Sequence, residues 1–211
     1  FSRASSGTYV DSDGLIKTAT TDSPRFDHDP VTGESLGLLI EEARTNLDLN
    51  SVTGEIHYAG SMTGPTSVYG PGGTDTALQY LSTGGTVSSR IQLKSVVAAN
   101  ATQYTATLYV KGVNYNTVTF GFGAAGFGAN SRRKFFLDTL TTQGIGNAAA
   151  VSIEDAGHGW RRIRVTSTAT TSATGITAYL DLGSNGDGDD THTTDQGFQI
   201  YGLQIEAGTF P

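Results

Sequence analysis

The sequence predicts an all-β protein: an antiparallel β-sandwich with jelly-roll connections, preceded by an extended N-terminal arm. Three observations lead there. From about residue 100 onward apolar and polar residues alternate in short runs; Gly, Asn and Asp turns separate these runs about every ten residues; and glycine supplies 28 of 211 residues in a chain also crowded with Thr and Ser. A period of two is that of a strand with one face on a core and one on water.

Residues 1–48 come first and differ from the rest. They hold Asp-containing turns, Asp11-Ser-Asp-Gly14 and Asp27-His-Asp-Pro30, and too few apolar residues to build a core alone. They are expected to form an arm or adaptor that packs on the sandwich or on a neighbouring subunit. Leu36 to Leu47 is the only helix-like stretch, although Leu38-Leu-Ile40 is a short apolar run that fits an extended strand equally well. Residues 49–211 are then the sandwich. Ala77 to Leu81 and Arg90 to Leu93 are two weak strands. Tyr104 to Lys111 is a clear one, with Tyr104, Ala106, Leu108 and Val110 inward and Thr105, Thr107, Tyr109 and Lys111 outward. Val118, Phe120 and Phe122 follow; then Ile163 and Val165 against Trp160, Arg162 and Arg164; then Ile176, Ala178, Leu180 and Leu182 against Thr177, Tyr179 and Asp181. In the last strand Phe198 and Ile200 share one parity and Leu203 and Ile205 the other, which a bulge at Tyr201-Gly202 reconciles.

Composition removes several classes of function. Cysteine is absent, and with it disulfides, thiolate nucleophiles and Cys-zinc sites. The net charge of −7 is a poor match for nucleic acid, which needs a cationic footprint. Nine acids against four bases in residues 1–50 carry most of it. No apolar stretch reaches the ~20 residues of a membrane helix. The first residue is Phe1, as expected of a fragment or processed product of a longer protein, itself soluble.

Motifs for catalysis are weak. Gly121-Phe-Gly-Ala-Ala-Gly126 satisfies the dinucleotide fingerprint literally, but a helix must open at those glycines to hold the pyrophosphate, and Phe127 to Phe136 looks like a turn and a strand. No Gly-x-Ser-x-Gly elbow exists. His28, His57, His158 and His192 are scattered and read as surface or turn residues. Glu41 and Glu42 point to opposite sides of a strand and form no acid/base pair. Ser131-Arg-Arg-Lys134 reads as a solvated basic turn. Asn185-Gly-Asp-Gly-Asp-Asp190, continuing to Asp195, has oxygen donors at alternating positions, as the first part of a calcium loop does. Asn185, Asp187, Asp189 and Asp195 are its candidate ligands. Trp160 with Arg162 is a candidate platform for sugars, whose C–H faces stack on rings while hydroxyls meet planar polar groups.

Two segments carry a resemblance. Phe1-Ser-Arg-Ala-Ser-Ser-Gly-Thr-Tyr-Val-Asp-Ser-Asp-Gly14, with Pro24-Arg-Phe-Asp-His-Asp-Pro30 and Gly37-Leu-Leu-Ile-Glu-Glu-Ala-Arg-Thr-Asn-Leu47, resembles a block in bacteriophage fibre, head-spike and tail proteins. Tyr104 to Lys111, Gly159-Trp-Arg-Arg-Ile-Arg-Val-Thr166 and Phe198-Gln-Ile-Tyr-Gly-Leu-Gln-Ile-Glu-Ala-Gly208 resemble the carbohydrate-binding modules found beside xylanases and laminarinases. The resemblance implies a non-catalytic jelly-roll module on a virion surface that binds polysaccharide of a host cell, often with a structural calcium. Tyr109, Lys111, Trp160, Arg162, Tyr179 and Asp181, all read as outward-facing, are the expected glycan-binding residues. The competing expectation is a structural decoration domain, trimeric within a virion, whose arm wraps another chain.

Overall fold

The computed structural model describes residues 2–41, 46–47, 57–60, 62–74, 76–148, 150–183 and 189–208; of residues 57–60, 87–88, 94–95 and 189–190 it describes the backbone. The arm consists of two hairpins, β1 (Gly7–Val10) with β2 (Ile16–Ala19) and β3 (Phe26–His28) with β4 (Ser35–Leu38). The stretch that looked helix-like is extended where it is described: Leu36 and Leu38 lie in β4, opposite β3, with Leu38 paired to Phe26.

The sandwich follows: β5 (His57–Gly60), β6 (Met62–Val68), β7 (Ala77–Ser82), β8 (Gly85–Ala98), β9 (Gln103–Val113), β10 (Thr117–Phe122), β11 (Ser131–Phe136), β12 (Thr141–Gly144), β13 (Ala150–Asp155), β14 (Arg161–Thr168), β15 (Ala173–Leu182), β16 (Asp189–His192) and β17 (Gly197–Ala207). All pairings are antiparallel. One sheet runs β12-β11-β10-β15-β8-β16, with β5 also on β8; the other runs β13-β14-β9-β17-β7-β6. The chain changes sheet at β5–β6, β7–β8, β8–β9, β9–β10, β12–β13, β14–β15 and β16–β17, so these neighbours in sequence lie in opposite sheets.

Alternation in the sequence becomes alternation in burial. Ala106, Leu108, Val110, Ile163, Val165, Phe198 and Ile205 from one sheet meet Ile91, Val118, Phe120, Phe122, Phe135, Ile176, Leu180 and Leu182 from the other in a single cluster. Burial of apolar area at about 25 cal/mol per Å² is the main force holding the two sheets together. In β17 the register on β9 shifts between Tyr201 and Gln204, with Gly202 at φ +63. The expected bulge is there, and it lets Ile200 and Leu203 both reach the core despite their opposite parities.

The arm lies across the outer face of the β13-to-β6 sheet. At one edge the Ile16 amide donates to Pro71 O (3.1 Å), in the loop between β6 and β7. At the other the His158 imidazole Nε2 donates to Asp13 O (3.1 Å), in the turn between β13 and β14. Gly157 sits in the left-handed region, and a Cβ there would lie 2.6 Å from Pro30 O, so glycine is what lets the arm come so close. The chain returns from the arm along β17, where Leu47 N donates to Ile205 O (2.7 Å) and Ile205 N donates to Asn46 Oδ1 (3.0 Å).

Candidate functional site

The arm changes what the outer face of that sheet can do. Trp160 points away from the main core, as its parity requires, yet is only 2% exposed. It packs with Ala77 and Ala156, flanked by Val68, Tyr109 and Tyr201. Two edges of this aromatic patch are fixed to the arm by the bonds above, and burial pushes the Tyr109 and Tyr201 phenols up from their usual range. The two rings are tilted against each other at 6.1 Å. Outward parity therefore does not mean an open stacking platform: Trp160 is part of a second, smaller core.

The two candidate sets separate. Register places Tyr109 opposite Arg162, and Lys111 reaches the turn before Trp160 through Nζ–H···O to His158 (3.0 Å), so Tyr109, Lys111, Trp160 and Arg162 share one neighbourhood. Arg162 lies 3.7 Å from Glu154. Tyr179 and Asp181 belong to β15 in the opposite sheet. Asp181, also expected outward, is fully buried. Its carboxylate accepts from Arg90 Nε, from Arg90 Nη2 (3.4 Å) and from Arg132 Nη1 (3.1 Å). Both guanidiniums lie over the Tyr179 ring, at 5.2 and 4.8 Å. Burial pushes the Asp181 carboxyl up and the Arg132 guanidinium down, and the mutual ion pairs oppose both shifts. Asp181 is a structural counter-ion with every oxygen occupied, and Arg132 is no part of a solvated basic turn.

The calcium expectation divides in the same way. Asn185 and Asp187 lie outside the described residues, as does the side chain of Asp189. What is described is a strand: β16 pairs Asp189 to Ser88 and His192 to Gly85. Four extended residues advance roughly 10 Å, and Asp195 stands beyond them with its Oδ1 accepting from the Thr194 hydroxyl (2.8 Å). A calcium ion needs its oxygens within 2.3–2.6 Å, and with Asn185, Asp187 and the Asp189 side chain outside the described residues, Asp195 is the one candidate ligand whose side chain is placed. Among the described residues no three metal-capable side chains cluster.

A cleft of about 370 Å³ opens where the arm meets the sandwich. The turns at Ser12–Gly14 and Pro30–Gly33 form one wall, and Asp155, Gly157–Gly159 and Arg161 form the other. Its chemistry is mostly acceptor. Arg161 donates from Nε to Leu137 O (2.7 Å) and from Nη1 to Asp155 Oδ1 (2.7 Å) and Trp160 O (2.9 Å). The Asp13 carboxylate is exposed and makes no ion pair among the described residues. Asp155 Oδ1 also accepts from Gly157 N (3.0 Å). Clefts of 300–1,000 Å³ with a few convergent polar groups are where small ligands bind, and carboxylates with backbone carbonyls suit a ligand rich in hydroxyl donors. Lys111, Trp160 and Arg162 do not line this cleft; Lys111 touches its wall through the bond to His158 O (3.0 Å).

The three histidines whose side chains are described have separate partners; the His57 side chain lies outside the described residues. His158 holds the arm, His28 Nδ1 contacts Val10 O (3.1 Å), and His192, expected at the surface, is buried edge-on to Tyr115 at 5.2 Å. After Phe122 the chain makes a turn and enters β11 rather than a helix, so the glycines of the dinucleotide-like stretch have nothing to hold a pyrophosphate against. Comparison with protein-family models and with curated proteins finds no match to either.

Proposed function

We propose that this chain is a non-catalytic glycan-binding module of a phage fibre or spike, recognising polysaccharide on a host cell surface. The observation that carries the reading is the polar cleft between arm and sandwich, of a size for a sugar unit and lined by Asp13, Thr32, Asp155 and His158. The sequence resemblance to virion proteins and to carbohydrate-binding modules, together with the antiparallel β-sandwich, supports it. Binding needs no reacting group: hydroxyls donate to the carboxylates and carbonyls, and a weak single site gains strength when several copies meet one polymer. Localisation on a virion surface belongs to the same proposal. Calcium enters it at Asn185, Asp187, Asp189 and Asp195 and is not needed for the cleft.

A second reading, a structural decoration domain without glycan binding, is favoured by the apolar face on the arm described below, which would contact another protein of the virion. Affinity electrophoresis against host surface polysaccharides, with and without EDTA, separates the two. Retardation that persists in EDTA is expected; no retardation by any polysaccharide sinks the glycan reading and leaves the structural one.

A further inference from the structure

The β3–β4 hairpin is amphipathic the wrong way round for a free surface. Arg25 is buried and Asp27 faces β1, where its Oδ1 accepts from Val10 N (2.7 Å). On the other face Phe26 is 55% exposed, Leu36 65%, Leu38 43% and Ile40 80%. Phe26 and Leu38 are cross-strand partners, Ile40 lies two residues beyond Leu38, and Leu36 stands at a bulge where the register shifts between Asp27 and His28; all four are exposed on this one hairpin. Scattered exposed apolar residues are ordinary, but four on one short hairpin mark a contact surface.

Charge and area say what covers it. Residues 22–41 contain five acids against one base, Arg25; Asp27 is turned to β1 and Glu41 is paired with Arg25 at 2.7 Å, which leaves Asp22, Asp29 and Glu34 as an acidic rim with no cation among them. A second copy would bring the same negative rim against itself. Four such side chains also expose only on the order of 400 Å², about half of the roughly 800 Å² per partner in a stable dimer interface. Among the described residues β4 pairs with β3 alone, which leaves its other edge open to one more strand. We infer that this hairpin is a docking site for an extended segment of a different protein chain, apolar on the side facing Leu36, Leu38 and Ile40 and flanked by Lys or Arg, added as a strand along β4. Main-chain bonds then supply affinity, while the apolar strip and acidic rim supply selectivity.

The test uses the whole chain and two synthetic peptides, one alternating valine with lysine and one alternating valine with glutamate. Fluorescence anisotropy is expected to show saturable binding of the valine–lysine peptide, at least ten-fold tighter than its glutamate counterpart, weakening as salt rises. The double substitution Leu36→Ser with Ile40→Ser, on exposed side chains, is expected to abolish binding without changing the melting temperature. Equal binding of the two peptides, or none of either, overturns the proposal. So does a concentration-dependent oligomer in sedimentation that the double substitution dissolves, which assigns the strip to a second copy.

Discussion

Replacing Asp181 by Asn tests whether that residue supports the fold or touches a ligand. In the native protein its side chain is 1% exposed, Arg132 is 5% and Arg90 is 17%. Removing the negative charge leaves two guanidiniums side by side. Arg90, the less buried, can swing toward water, so most of the penalty falls on Arg132. Breaking a buried pair by removing one partner costs about 3–5 kcal/mol. At roughly 2–4 °C per kcal/mol for a chain of this length, the melting temperature should fall by about 6–20 °C. Urea unfolding of Asp181→Asn beside Arg132→Met and the double variant gives the decisive comparison. The double variant should recover much of the loss, because an apolar replacement of a buried pair is often close to neutral. A single variant within about 0.5 kcal/mol of the parent, the usual range for surface substitutions, would refute the assignment of Asp181 as a buried counter-ion.

Other outcomes follow from the second core and the bulge. Trp160→Ala should destabilise by about 3–5 kcal/mol, as for other buried tryptophans, and should speed proteolysis within residues 2–41 as the arm loosens; an unchanged cleavage rate of the arm would show that it holds by its hydrogen bonds alone. Tyr109 and Tyr201 have phenols raised above the ordinary value of 10.0 by burial, so the unfolded chain ionises first. The stability they protect is present below pH 10 and is lost as pH rises through their folded values. Alkaline denaturation above pH 10 should therefore shift upward in the Tyr109→Phe, Tyr201→Phe double variant, as followed by circular dichroism. Gly202→Val should cost on the order of 1–3 kcal/mol because φ is +63 at the bulge, whereas Gln204→Val, exposed on the same strand, should stay within about 0.5 kcal/mol; equal effects would remove the special role of the bulge.

The main sandwich was legible because its strands obey one local rule. Tyr104 to Val110 and Ile176 to Leu182 alternate strictly, and a strand with one buried face has only one way to alternate. The break in parity between Ile200 and Leu203 located the bulge for the same reason. Parity names a face but not what lies on it. Trp160 and Asp181 were placed on the correct outward faces, yet the first is sealed in a patch beneath the arm and the second by two arginines from β8 and β11. Thr105, also outward, is buried with its hydroxyl donating to Gly208 O (2.6 Å). The cleft could not be read at all, since Asp13 and His158 are separated by most of the chain. The residual clue was local: Gly157 and Gly159 both adopt positive φ in the turn before Trp160, which marks a turn of unusual shape but not its partner. The exposed strip on β4 did leave a signal, the run Leu38-Leu-Ile40 in an otherwise polar arm.

The cleft is the centre of the functional account, and Asp13→Ala probes it most directly. The substitution removes an exposed carboxylate that the fold does not use, and a hydrogen bond to a charged group is worth about 1.5–3 kcal/mol. Titration calorimetry with a polysaccharide that retards the parent protein should show affinity weakened by roughly 10- to 100-fold, with the melting temperature of the free protein unchanged. Undiminished affinity in Asp13→Ala would contradict the account and move glycan binding elsewhere on the molecule.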